Sequence, residues 1–203
     1  MKTILFQGDS ITDAHRSRDN FFDMGKGYPN LVSAHLGFEN PGKYEFINRG
    51  ISGHKIQDLL NRWDQDAIDL QPDVISILIG VNDTWHHAEQ RDWIPNDQFE
   101  ASYRACLEAL KAKTKAKIII MEQFLCYTDD KAFFREDLDP KVQITRKLAR
   151  EYADAFIPLD GIFASESITA APTYWAEDGV HPTEAGARLI AKHYLEAFKK
   201  VIL

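Results

Sequence analysis

The sequence predicts an α/β fold: a single-domain, three-layer α/β/α sandwich around a central, mostly parallel five-stranded sheet. Three observations predict it. Short apolar runs alternate with amphipathic stretches about five times along the chain, the pattern of parallel strands joined by helical crossovers. Several runs, such as Val74-Ile75-Ser76-Ile77-Leu78-Ile79 and Lys117-Ile118-Ile119-Ile120-Met121, are nearly continuous in apolar residues. That suits strands covered on both faces. Finally, the first three runs end in glycine-containing turns, and the carboxyl edge of an open α/β sheet is where ligands sit. At 203 residues, with no internal repeat or linker, the whole chain, 1–203, reads as one domain.

Taken in order, Thr3-Ile4-Leu5-Phe6 is the first strand, and it stops at Gln7-Gly8-Asp9-Ser10. Residues 13–26 are polar and without clean periodicity, a loop over the strand edge, and a helix follows over residues 28–36. Tyr44-Glu45-Phe46-Ile47-Asn48 alternates and is the second strand. It ends in Arg49-Gly50-Ile51-Ser52-Gly53. Ile56, Leu59, Leu60, Trp63, Ala67 and Leu70 recur at helical spacing, which predicts one amphipathic helix closed by Pro72, with Trp63 in its apolar stripe. The third strand, residues 74–79, ends in Gly80-Val81-Asn82-Asp83. Phe99, Tyr103, Cys106, Leu107 and Leu110 mark the next helix, and the fourth strand is residues 117–121. A long loop carries Tyr127, Phe133 and Phe134. A helix over residues 140–152, a short strand over 155–159, a less regular stretch over 161–176 and a final helix through Ile190, Tyr194 and Val201 complete the chain.

Composition narrows the function. A net charge of −7 argues against nucleic acid, which needs clustered Lys and Arg. No apolar run approaches the ~20 residues of a membrane span, and the amino-terminal residues turn polar too early for a signal peptide. The cytoplasm is the expected address. Two cysteines, Cys106 and Cys126, make no disulfide framework. His86 and His87 lack further ligands at zinc-like spacing and read as a solvated loop. No cofactor or metal is implied.

What remains is a serine at a sheet edge. A neutral hydroxyl is a poor nucleophile and needs a base, most often a histidine oriented by a carboxylate. In Asp178-Gly179-Val180-His181-Pro182, a carboxylate precedes a histidine by three residues in a constrained turn. Pro182 keeps His181 out of helical geometry and can start the helix behind it. Acyl transfer also needs preset donors for a developing oxyanion. Gly53 and Asn82 each follow a predicted strand at the same edge as Ser10. No Gly-x-Ser-x-Gly elbow is present, which disfavours the α/β-hydrolase arrangement.

Together the blocks Gly8-Asp9-Ser10, Gly50-Ile51-Ser52-Gly53, Gly80-Val81-Asn82-Asp83 and Asp178-Gly179-Val180-His181-Pro182 resemble those of the SGNH (GDSL-like) hydrolases, in order and across nearly the whole chain. The resemblance implies a flavodoxin-like sandwich. It also implies Ser10 as nucleophile, His181 as base, Asp178 as its orienting carboxylate, and an oxyanion hole from the Ser10 and Gly53 N–H groups and the Asn82 side chain. Gly8-Asp9-Ser10-Ile11-Thr12-Asp13, Arg62-Trp63, Gly80-Val81-Asn82-Asp83-Thr84-Trp85 and Trp175 are most similar to bacterial acetylesterases of xylan-type carbohydrates. That implies a small acyl ester, an acetylated sugar, as substrate, with Asp9, Trp85 and Trp175 as substrate contacts. The family also contains thioesterases and lysophospholipases, and a non-catalytic binding protein on the same fold is the remaining alternative. Trp93, Phe133 and Phe134 are candidates for a homo-oligomer interface or a pocket wall.

Overall fold

The computed structural model describes residues 1–202; Leu203, the last residue of the expected domain, lies outside them. The chain runs β1 (Lys2–Gly8), α1 (Ser10–Asp13), α2 (Tyr28–Glu39), β2 (Tyr44–Asn48), α3 (Ile56–Asn61), β3 (Val74–Leu78) and α4 (Val81–Trp85). It continues through α5 (Asn96–Lys113), β4 (Lys117–Met121), α6 (Arg135–Tyr152), β5 (Ala155–Ile157), α7 (Leu159–Glu166), α8 (Pro172–Trp175) and α9 (Glu184–Ile202). The five strands pair in the order β2-β1-β3-β4-β5, and every pairing is parallel.

Side chains alternate across the strands and so build two cores. Ile4, Phe6, Val74, Leu78, Ile119 and Met121 face the layer of α2 and α9, where Tyr28, Val32, Tyr194 and Phe198 meet them. Leu5, Ile75, Ile77, Ile118 and Ile120 face α3 and α5 on the other side, against Leu59, Phe99, Tyr103 and Leu107. Trp63 is 2% exposed in that second core, and its indole N–H donates to the Cys106 carbonyl at 2.9 Å. Cys106 is likewise buried, and burial pushes its thiol up to about 12. Among the described residues no helix is long and apolar enough to cross a membrane.

The sheet's register positions the site. Phe6 of β1 lies opposite Asn48 of β2, and Gly8 opposite Leu78 of β3. Three adjacent strands therefore release their chains at one edge, toward Ser10, Gly53 and Asn82.

The elements depart from expectation in a few places. The helix expected over residues 56–70 breaks at Arg62, whose N–H turns back to Leu59 and Leu60, and a wider π turn over Asp64–Ile68 follows. Arg62 is drawn inward: its guanidinium reaches Asp66 at 2.7 Å and the Arg49 carbonyl at 2.8 Å. Helix α6 begins at Arg135 and carries Pro140 inside it, which removes one hydrogen bond of its second turn. β5 stops at Ile157 because Pro158 has no N–H for the ladder, and Leu159 opens a helix instead. The one-turn helices α1 and α4 stand directly after β1 and β3, where turns alone were expected.

Candidate active site

Ser10 is the first residue of α1, set immediately beyond the strand by the Gly8-Asp9 turn. A Cβ on Gly8 would lie 2.3 Å from the Leu78 carbonyl and 2.4 Å from Thr12 Oγ1, so only glycine fits there. Asp9 caps the helical turn by accepting the Ile11 N–H at 3.0 Å. As the first residue of a helix, Ser10 has an N–H without an intrahelical partner.

The Ser10 hydroxyl lies 2.8 Å from His181 Nε2, and His181 Nδ1 lies 2.7 Å from Asp178 Oδ2. With Nδ1–H donated to Asp178, neutral His181 presents Nε2 as acceptor to the serine hydroxyl. The other Asp178 oxygen accepts the Val180 N–H at 2.9 Å and the His181 N–H at 2.7 Å. Burial pushes Asp178 up, but the hydrogen bonds from the His181 ring, the His181 N–H and the Val180 N–H outweigh it, holding the carboxyl well below its ordinary range. His181 is raised above 6.5, chiefly by its bond to Asp178 and against the opposing effect of burial. The loop is fastened on both sides. Cys126 N–H donates to the Gly179 carbonyl at 2.8 Å, and Thr183 N–H to the Trp175 carbonyl at 2.9 Å.

Opposite that loop, the turn after β2 is stapled to the serine's helix. Ile51 N–H donates to the Gly8 carbonyl at 3.1 Å, Ser52 N–H to Asp13 at 2.9 Å, and Asn48 Nδ2 to the Thr12 carbonyl at 2.8 Å. Gly53 sits there at φ +82, a conformation that favours glycine, and among the described residues its N–H meets no acceptor. Asn82, 5% exposed in α4, directs one N–H to the His54 carbonyl at 3.1 Å, which fixes the amide and leaves the second N–H open. Next to it, buried Asp83 accepts the Ile56 N–H at 3.1 Å and so ties α4 to the Gly53 turn. Burial raises Asp83 to about 7. A hydroxyl beside an oriented imidazole, flanked by fixed N–H donors, is an arrangement suited to acyl transfer.

Two clefts open on Ser10 and His181. One, of about 250 Å³, runs past Ile11, Tyr28 and Ile190 toward Lys26 and Glu184. The other, of about 490 Å³, is walled by Ser52, Asp13, Arg16 and Arg18. Trp85 packs beside the His181 ring at 5.6 Å between centroids, backed by buried Phe134 at 6.1 Å, with Lys131 over its face. Phe133 packs edge-on against Phe134.

Two expected substrate contacts are placed elsewhere. Asp9 is 1% exposed, beneath the serine rather than in a cleft, and burial raises it to about 7 with Oδ2 lacking a partner among the described residues. Neither tryptophan lines these two clefts: Trp85 adjoins His181 from a separate groove with Lys131 and Phe133, whereas the Trp175 indole donates to the Glu166 carbonyl at 3.3 Å and anchors α8 to α7. Conversely, Asp83, Arg16 and Arg18 were not singled out in the sequence. Their only signal there is that they lie within or close to the motif blocks.

Comparison with known proteins identifies the family. The model of the GDSL-like lipase/acylhydrolase family matches residues 6–189. An acetylxylan esterase from Geobacillus stearothermophilus is 32% identical over 95% of this chain and 91% of its own length. An acetylxylan esterase from Xylanibacter ruminicola is 26% identical over 95% of this chain and 42% of its own. The solved structure of Axe2, an acetylxylan esterase from Geobacillus stearothermophilus, superposes with a TM-score of 0.87 at 30% identity, covering 98% of this chain and 94% of that one. Solved variants of Axe2 with a serine, a histidine or an aspartate replaced are described as catalytic mutants. The chain therefore belongs to the GDSL-like lipase/acylhydrolase (SGNH) family and is a carboxylic ester hydrolase.

Proposed function

We propose that this esterase removes acetyl groups from small carbohydrates, acetylated xylo-oligosaccharides first, through an acetyl-serine intermediate on Ser10. The observation that carries the reading is the hydrogen-bonded chain from the Ser10 hydroxyl through His181 to Asp178, with Trp85 against the imidazole. An aromatic face at that point suits the C–H face of a sugar ring, and the likeness to acetylxylan esterases supports the same substrate class.

In this reading Ser10 Oγ attacks the ester carbonyl while His181 Nε2 takes the hydroxyl proton. The negative oxygen that forms is held by the N–H groups of Ser10 and Gly53 and by the open Asn82 N–H. Collapse breaks the bond to the sugar oxygen, which takes the proton back from His181. Water then attacks the acetyl-serine, its proton passing through Nε2, and acetate leaves. Asp178 stays ionised throughout and stabilises the imidazolium.

The test is a substrate series. Acetylated xylo-oligosaccharides should be hydrolysed with higher kcat/KM than aryl acetate, and rates on simple esters should fall beyond propionyl. Each buried CH₂ contributes about 0.8 kcal/mol, so a long acyl pocket would show a steady climb instead. A climb to octanoyl esters or acyl thioesters would replace the carbohydrate reading with a general acyl hydrolase. Trp85→Ala should weaken sugar-ester hydrolysis more than aryl acetate hydrolysis, and more than Trp175→Ala does. Asn82→Ala should lower kcat by about 10²- to 10³-fold with little change in KM.

A further inference from the structure

Beneath the larger cleft guanidiniums outnumber the carboxylates bonded to them. Four guanidiniums, those of Arg16, Arg18, Arg49 and Arg62, are hydrogen-bonded or stacked around the turn after β2. Among the described residues only two carboxylates bond to them. Arg49 and Arg62 share Asp66, and Arg18 pairs with Asp13 at 2.8 Å. Asp13 also accepts the Ser52 N–H. Asp23 lies nearby, but its oxygens take the N–H groups of Ser17 and Gly25.

Among the described residues no carboxylate is bonded to Arg16. It is 6% exposed, and its donors reach only the carbonyls of Gly50 at 2.9 Å and Ser17 at 3.2 Å. Burial disfavours its charge most, and Arg49, Arg18 and Arg62 add to this; Asp13 opposes it, as does Asp23, whose own carboxyl Arg16 helps to hold down. A buried, uncompensated cation is costly, and an anion that docks against it recovers much of that cost. This crowding of guanidiniums is no general property of the chain, whose net charge is −7.

The backbone has been bent to place these residues. Ala14 and His15 take φ of +44 and +62 in succession, unusual for residues with side chains. The turn is clamped from above: Lys26 N–H donates to the Ala14 carbonyl at 2.8 Å, and a Cβ on Gly25 would strike the Asp13 and Ala14 carbonyls at 2.6 and 2.7 Å. Such strain collects where function needs a fixed geometry. Here it returns the chain so that Arg16 and Arg18 wall a cleft that also contains Ser10 and His181.

We infer that Arg16 and Arg18 form an anion subsite beside the nucleophile, and that it takes a carboxylate carried by the alcohol part of the ester. An acetyl group bears no charge, so the anion belongs to the leaving side. A planar carboxylate matches the guanidinium fork in two parallel hydrogen bonds. Resting on the acetyl-sugar reading above, the substrate is an acetylated oligosaccharide bearing a uronic acid.

The experiment compares kcat/KM for acetylated xylotriose with and without one glucuronic acid substituent, alongside two non-sugar substrates, an acetoxybenzoate and its carboxamide. The wild type should prefer the charged member of each pair by about tenfold, the size of one charge-assisted hydrogen bond, through KM and less so at high salt. Arg18→Gln should bring both preferences to near unity, with Arg18→Lys restoring part of them. Arg16→Lys, checked for folding by its thermal transition, should reduce them as well. Equal rates on charged and neutral members in the wild type would overturn the subsite. So would a preference that survives Arg18→Gln, or a stronger preference for an acetylated sugar phosphate than for the uronate. If neither sugar is hydrolysed but the acetoxybenzoate preference stands and depends on Arg18, the subsite holds and the carbohydrate reading alone falls.

Discussion

Asp9 and Asp178 flank the serine and the histidine, and both draw His181 toward its charged form, yet their own protons behave oppositely. Asp178 is half-buried and collects three hydrogen bonds, two from backbone N–H groups and one from the imidazole. Asp9 is fully buried, accepts one backbone N–H, and leaves Oδ2 without a partner among the described residues. Donors keep the first carboxyl ionised far into acid. Full burial against a single donor lifts the second to about 7. Burial set against hydrogen-bond supply, rather than residue type or nearness to His181, therefore decides how far each aspartate holds charge at neutral pH. For the proposed mechanism this divides the roles: Asp178 supplies the standing counter-charge for an imidazolium, and Asp9, only part-ionised at neutral pH, is a cap that fixes Ser10.

The largest test of that division is removal of the shared partners. Ser10→Ala and His181→Ala should each lower kcat by about 10⁵- to 10⁶-fold, as for other units that act together. Full activity in either variant would end the account. Asp178→Asn should follow, with kcat down by up to about 10⁴-fold because the imidazole loses its tautomer and counter-charge. The acid limb of kcat/KM should also move to lower pH, since the carboxylate that raises His181 is gone.

Asp9→Asn should be far milder, lowering kcat by about tenfold or less, because the amide oxygen can still accept the Ile11 N–H. It should shift the acid limb down only slightly. If Asp9→Asn proves as damaging as Asp178→Asn, the comparison fails. Stability separates the two aspartates by sign. Asp9 has a folded-state value above its ordinary 3.8, so its contribution is complete below about pH 4 and is lost as pH rises through about 7. Asp178 has a depressed value, so its contribution is present above 3.8 and is lost as pH falls. Asp9→Asn should therefore gain thermal stability relative to wild type on going from about pH 5 to about pH 8. Parallel curves would contradict the burial of an ionisable Asp9.

What could be read from the sequence was local in it. The apolar runs, three of them with glycine stops, located five strands, and the Asx-type turn of residues 178–181 brings a carboxylate to its histidine within four positions. The bracket around Gly53 and Asn82 was not legible. Asp83 meets Ile56 27 residues away, and Arg16 meets Gly50 34 residues away, pairings that exist only once the sheet edge has formed. Trp85 and Trp175 illustrate the same limit. Both adjoin motif residues, but α4 lays Trp85 beside His181, whereas Trp175 is turned to the Glu166 carbonyl. The break at Arg62 was hidden because helical spacing of apolar residues continues across it, while its cause is a buried carboxylate at Asp66.

The most direct measurement is the pH dependence of Ser10 labelling by a serine-directed phosphonate, followed by intact mass and peptide mapping. A single adduct on Ser10 is expected, absent in Ser10→Ala. Its rate should rise with pH through one titration centred above the ordinary histidine value of 6.5, because Asp178 holds His181 in its charged form. In Asp178→Asn that titration should move below the wild-type position. Labelling at another residue, or a rate that stays flat from about pH 5 to about pH 9, would contradict activation of Ser10 by His181.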